Sequence, residues 1–140
     1  MSKIFWDTNL FIYLIEDYGS LSQQVADIRR RMLDRGDQLF TSSLTLGEVL
    51  VRPLEMNNED LADEYENALS TAAVILPFGE SAARAYASLR KDRSIRPPDA
   101  IQLACAAQEG MDLFITNDDH LSKRVVPGIH FVTSLANVPL

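Results

Sequence analysis

Short apolar runs alternate with amphipathic stretches from one end of this 140-residue chain to the other, and that alternation narrows the possible folds most. Residues 3–6, 38–41, 73–76, 113–116 and 129–133 read as strands, most of them apolar without the every-second-residue polarity of a half-exposed sheet. Between them the spacing predicts helices over 8–15, 20–35, 42–54, 59–71, 81–92, 99–109 and, shorter, 118–123. In the second helix Leu21, Val25, Ile28 and Met32 follow at steps of four, three and four, and Gly36 stops the run. Pro97 and Pro98 mark the start of the sixth. Strands buried on both faces and joined by helices imply an α/β fold, with a central parallel sheet of four to five strands flanked by helices on both faces. At this length one domain, residues 1–140, is expected. Such sheets bind ligands beyond the carboxyl ends of their strands.

Charge and cysteine content exclude several functions. The chain has 20 acidic against 13 basic residues, a formal net charge of -7, which disfavours non-specific attraction to nucleic acid or anionic membrane. A polyanionic substrate stays possible if a bound cation inverts the local field. The acids Glu55, Glu59, Asp60, Asp63, Glu64 and Glu66 form a block best read as a solvated helix face. Arg84, Arg90, Lys91, Arg93 and Arg96 form a basic block just before Asp99, the better candidate for phosphate contacts. The single cysteine, Cys105, rules out an internal disulfide and a cysteine-rich zinc site. Its alanine-rich surroundings read as core. No apolar stretch is long enough to span a bilayer, and residues 1–6 read as a strand rather than a signal peptide, so a soluble, cytoplasmic protein is expected.

Four acids fall where a strand ends or a helix begins: Asp7, Glu48, Asp99 and Asp118. Each has a local explanation. Asp7 could cap the helix that follows it, Thr45 and Glu48 have capping-box spacing, and Asp99 and Asp118 would each complement a helix dipole. Taken together they suggest more, because carboxylates converging at one end of a sheet repel one another unless a cation joins them. Hard divalent cations take oxygen ligands, and Mg²⁺ combines a few carboxylates with substrate phosphate.

At these residues the chain resembles the PIN-domain ribonucleases, and among them the small VapC-type toxins of toxin–antitoxin pairs. The resemblance runs from Ile4 to about Val132 and rests on Asp7-Thr8-Asn9, Glu48, the segment from Pro98 through Asp99 to Ala104, and Ile115-Thr116-Asn117-Asp118. It implies a pocket in which Asp7, Glu48, Asp99 and Asp118 act as catalytic residues and bind Mg²⁺ or Mn²⁺. It also implies endonucleolytic cleavage of RNA, a homodimer and inhibition by a cognate antitoxin protein. The doubled aspartate leaves the last acid open by one position, between Asp118 and Asp119.

On that reading Asp7 and Asp99 are the central ligands, and Asp118 and Glu48 complete the site directly or through water. Asn9 and Thr116 are candidates for hydrogen bonds that orient the carboxylates, or for local turn chemistry. Arg90, Lys91, Arg93 and Arg96 are candidates to track RNA phosphates. His120, His130 and Trp6 are read as incidental to the chemistry, Trp6 as core.

Two other readings compete with this one. An aspartyl-phosphate phosphoryl-transfer domain would carry an acceptor aspartate after its third strand, where Pro77-Phe78-Gly79 stands, or a second aspartate at position 9, which is Asn9. A non-catalytic protein-binding module would keep the acidic pocket as a vestige.

Overall fold

The computed structural model describes residues 1–140. Its five strands are β1 (Lys3–Trp6), β2 (Gln38–Ser42), β3 (Val74–Leu76), β4 (Met111–Thr116) and β5 (Ile129–Ser134). The helices are α1 (Thr8–Ile15), α2 (Ser20–Arg35), α3 (Ser43–Glu55), α4 (Glu59–Ala72), α5 (Glu80–Leu89) and α6 (Pro97–Glu109), followed by a 3₁₀ turn at Leu135–Asn137. The strands form one parallel sheet in the order β3-β2-β1-β4-β5. The chain lays β1, β2 and β3 outward in one direction, then returns to place β4 on the other side of β1. Strand order therefore reverses between β1 and β4, and the crevice beyond their carboxyl ends is where this architecture accepts ligands.

Side-chain alternation along the strands divides the core into two layers. Ile4, Trp6, Leu39, Leu113 and Ile115 face one side, against Leu10 and Phe11 of α1, Val25, Ile28 and Met32 of α2, and Val49 of α3. Phe5, Phe40 and Phe114 face the other, against Ala100, Leu103 and Ala104 of α6 and Ala82 of α5. The Phe5 and Phe114 rings stack at 4.9 Å between centroids across the central strand pair. Small residues on α6 let it approach the sheet closely, and Cys105 lies buried there with its thiol pushed up to about 11 by desolvation, inert as its surroundings suggested. The acidic block on and before α4 is solvent-exposed throughout.

Two local expectations require correction. Residues 118–123 are a run of turns, not a helix: the Asp118 carboxylate accepts from the His120 N–H at 2.9 Å, and Lys123 takes a left-handed φ of 69° while donating its N–H to Val132. Helix α5 ends at Leu89, after which Lys91 and Asp92 donate to carbonyls three residues back and Asp92 captures the Ser94 N–H in a side-chain turn. The local alternative for Glu48, a capping box with Thr45, is not realised, since Ser42 is the N-cap of α3 and accepts from the Thr45 N–H.

Gly128 joins the turn after residues 118–127 to β5 at a φ of 96°, and a Cβ placed there would lie 2.5 Å from the Ala107 carbonyl oxygen of α6. Gly128→Ala combines backbone strain with a collision against a helix, and costs at least about 2 kcal/mol, read as a lower urea midpoint at unchanged slope.

Candidate active site

Strand β1 ends by delivering Asp7 to the crevice. The Asp7 N–H still pairs with Ile115 of β4, and its carboxylate then serves as N-cap of α1, accepting from the Thr8 N–H at 2.9 Å. The other carboxylate oxygen accepts from the Thr116 hydroxyl at 2.7 Å, and that hydroxyl accepts in turn from the Asp118 N–H at 3.0 Å. Thr116, a candidate orienting residue, thus fixes both Asp7 and the loop that carries Asp118. Asp99 occupies the first turn of α6, where the helix dipole favours an anion, and Glu48 projects from α3.

Asp7, Glu48, Asp99 and Asp118 all line one cavity of about 400 Å³, together with Thr8, Asn9, Arg96 and Gln102. They come from the ends of β1 and β4 and from two helices, so the cavity lies at the reversal of strand order. Asp119 does not line it and is exposed, which leaves Asp118 as the acid of that doublet that faces the cavity. Another cavity, of about 430 Å³, lies between α4 and the α1–α2 turn, but its walls are half apolar and its Glu16 is spent on an ion pair with Arg52.

The electrostatics of the cavity are unfavourable to a bare cluster of anions. Burial raises the Asp7 carboxyl above the ordinary aspartate value, and the charges of Asp99 and Glu48 raise it further against the opposing bonds from Thr116 and Thr8. Asp99 is likewise raised, first by burial and then by Asp118, with Arg96 acting the other way. Arg96 lies 3.5 Å from Asp99 and 3.2 Å from Asp118, a partial counter-ion whose side chain is 70% exposed. No three acids close into a coordination shell in this conformation. Such closure is not required by Mg²⁺, which keeps several waters and uses few carboxylates. The donor set fits that ion: every candidate ligand is oxygen, and the buried Asn9 Oδ1 at the cavity has no hydrogen-bond partner. Asn9 makes no bond that orients a carboxylate, so the role suggested for it differs from its place in the structure.

The basic block divides. Arg96 lines the cavity, Lys91 and Arg93 are exposed outside it, and Arg90 is committed to the fold through a 2.6 Å bond to the Ile95 carbonyl. Sequence reasoning missed Gln102, which is 2% exposed and donates to Thr45 at 2.7 Å, Thr8 at 3.0 Å and Asp7 at 3.3 Å. The available signal was a lone amide amid the apolar residues of α6. Glu48, a candidate ligand whose spacing also fits a cap, lines the cavity as expected, and its carboxylate accepts from the Thr8 hydroxyl at 2.6 Å.

With the geometry in place, comparison with known proteins decides the family. Residues 4–126 match the PIN domain. The chain belongs to the PIN-domain family. A search of curated proteins gives no significant match. Among solved structures, this PIN domain is similar to VapBC2 from Rickettsia felis bound to a promoter DNA fragment, at 16% identity and a TM-score of 0.74, covering 94% of this chain and 98% of that one. DNA-bound VapBC from Salmonella typhimurium gives 19% identity, a TM-score of 0.72 and coverage of 96% and 99%. VapBC-5 from Mycobacterium tuberculosis, a toxin–antitoxin system, gives 20%, 0.64, and 96% and 99%. No helix is long and apolar enough to cross a membrane.

The raised carboxyls predict an inverted pH dependence. An aspartate whose folded-state value exceeds its unfolded value weakens the fold when ionised, and that penalty is relieved as pH falls through the folded value. In chelator at neutral pH, Asp99→Asn therefore raises the melting midpoint by a few degrees, and the gain shrinks on acidification towards the ordinary aspartate range. A marked fall in the midpoint of the variant would make Asp99 a structural cap instead.

Proposed function

We propose that this PIN domain is a divalent-metal-dependent endoribonuclease that hydrolyses RNA phosphodiesters, and that it is the toxin of a type II toxin–antitoxin pair acting in the cytoplasm. The observation that carries the reading is the convergence on one cavity of four acids from separated parts of the chain, at the reversal of strand order and at a cost to the ionised state of two of them. A structural role alone gives no reason to bury acids against one another; a site for a cation does.

Asp7 and Asp99 are the central ligands in this proposal, with Glu48 and Asp118 completing the set. Bound Mg²⁺ or Mn²⁺ would supply Lewis acidity towards a phosphodiester and neutralise its charge. The chain supplies orientation. Thr116 pins one oxygen of Asp7 and Thr8 holds Glu48, which limits the rotation of both side chains before substrate arrives. Arg96, at the rim and largely exposed, is placed to pair with a phosphate next to the scissile one, and Lys91 and Arg93 extend that charge outward. The likeness of the fold to VapBC structures supports a cognate antitoxin as partner; the proposed assembly, a homodimer, rests on the family resemblance.

Purified protein is expected to cleave RNA in Mn²⁺ or Mg²⁺ and to stop on addition of chelator. Asp7→Asn and Asp99→Asn each lower the rate by more than about 100-fold with the fold intact, since even residues that only orient metal ligands cost 10–100-fold. Undiminished cleavage by either variant would refute the site. The product of a short reading frame beside the gene is expected to co-purify with the chain and suppress cleavage; lack of any such partner would remove the toxin assignment and leave the nuclease one standing.

A further inference from the structure

A buried glutamine ties together the segments that carry two of the four acids. Gln102 lies on α6 one turn beyond Asp99, and its amide reaches β1, α1 and α3 at once. The direction of each hydrogen bond follows from chemistry. The Ser42 hydroxyl donates to the Gln102 carbonyl oxygen, which accepts only. The amide N–H groups then face the Thr45 and Thr8 hydroxyls and the nearer Asp7 oxygen; reversing the amide would set a carbonyl oxygen against a carboxylate. Thr8 donates to Glu48 at 2.6 Å, so the Thr8–Thr45 contact at 3.0 Å takes its hydrogen from Thr45. Each hydroxyl hydrogen in the chain Ser42–Gln102–Thr45–Thr8–Glu48 therefore has one assigned acceptor, the two amide hydrogens of Gln102 are shared among Thr45, Thr8 and Asp7, and such aligned chains strengthen each member.

We infer that Gln102 is a positioning residue of the active site: it sets the direction of the hydroxyl chain that aims Glu48 and steadies Asp7. Its amide donates to both the Thr45 and Thr8 hydroxyls and so holds Thr8 as a donor towards Glu48. Without it, Thr8 and Thr45 can turn their hydrogens towards each other or towards solvent, and the Glu48 carboxylate loses its fixed orientation. Asp7 keeps its bonds from Thr8 and Thr116 but loses the contact that joins it to α6. The inference rests on the proposed metal-dependent nuclease activity.

The test uses Mn²⁺ alone as probe, by calorimetry on the whole chain, beside RNA cleavage measured over a range of substrate concentrations. Gln102→Met keeps the side-chain length and removes both donors and acceptor. It is expected to weaken Mn²⁺ binding about tenfold or more and to lower kcat while KM changes by less than about twofold, the size typical of lost orienting contacts. Ser42→Ala, which frees the amide to reverse, is expected to produce a smaller shift of the same kind. A purely structural Gln102 would lower the melting midpoint and leave the Mn²⁺ affinity within about twofold of the parent, as for an ordinary buried-polar substitution, and that result would overturn the inference alone. If Gln102→Met does not fold, unchanged Mn²⁺ affinity and kcat in Ser42→Ala overturn it equally. A parent protein that binds no Mn²⁺ overturns the proposed function and this inference together.

Discussion

Asp7 sits at the end of the central strand with only 8% of its surface exposed, and the site is organised around the cost of placing a carboxylate there. Taking a charge out of water costs several kcal/mol unless hydrogen bonds replace the lost hydration. Three segments provide them: Thr8 opening α1, Thr116 closing β4 and Gln102 within α6. Those bonds also register the helix layers against the sheet, so the fold and the site share the same contacts. The bonds do not cancel the cost in full, because Asp99 and Glu48 add their own charge and Asp7 stays raised.

An acidic protein that acts on a polyanion needs a local reversal of its field. The net charge of -7 is spread largely over exposed helix faces, including α4, which contributes no residue to the cavity. Within the cavity Arg96 is the one lining cation, and its two ion pairs at 3.2 and 3.5 Å are exposed enough to be screened by water. One guanidinium against four carboxylates leaves a deficit of positive charge. On the proposed function a divalent ion would reduce that deficit and offer a coordination position to a phosphate, which would join affinity for RNA to the presence of metal.

Much of this architecture is legible in the amino-acid sequence, for identifiable reasons. The central strands are buried on both faces and so carry continuous apolar stretches, Ile4–Trp6 and Leu113–Ile115, and Gly36 and Pro97 bound their helices through backbone chemistry that needs no tertiary partner. Asp7, Asp99 and Asp118 stand at element ends, where position alone marks them. The failures occur where a side chain serves a distant segment. Glu48 was legible as a site acid but its partner was not: the spacing points to Thr45, whereas Thr8 is 40 residues away. Gln102 reaches segments 57 to 95 residues away, and a single polar residue in an apolar helix carries no mark of where it points. Residues 118–123 have a helical pattern, but the Asp118 side chain and Val132 of β5 divert the backbone groups that a helix would use.

Paramagnetic broadening by sub-stoichiometric Mn²⁺ on the isotope-labelled protein tests the central claim most directly, because it locates the ion without requiring turnover. Selective loss of the amide signals of Thr8, Asn9, Asp99, Ala100 and Asp118, together with the Gln102 side-chain amide, is the predicted result. Broadening confined to the exposed acids of α4, with the cavity signals intact, would contradict the account.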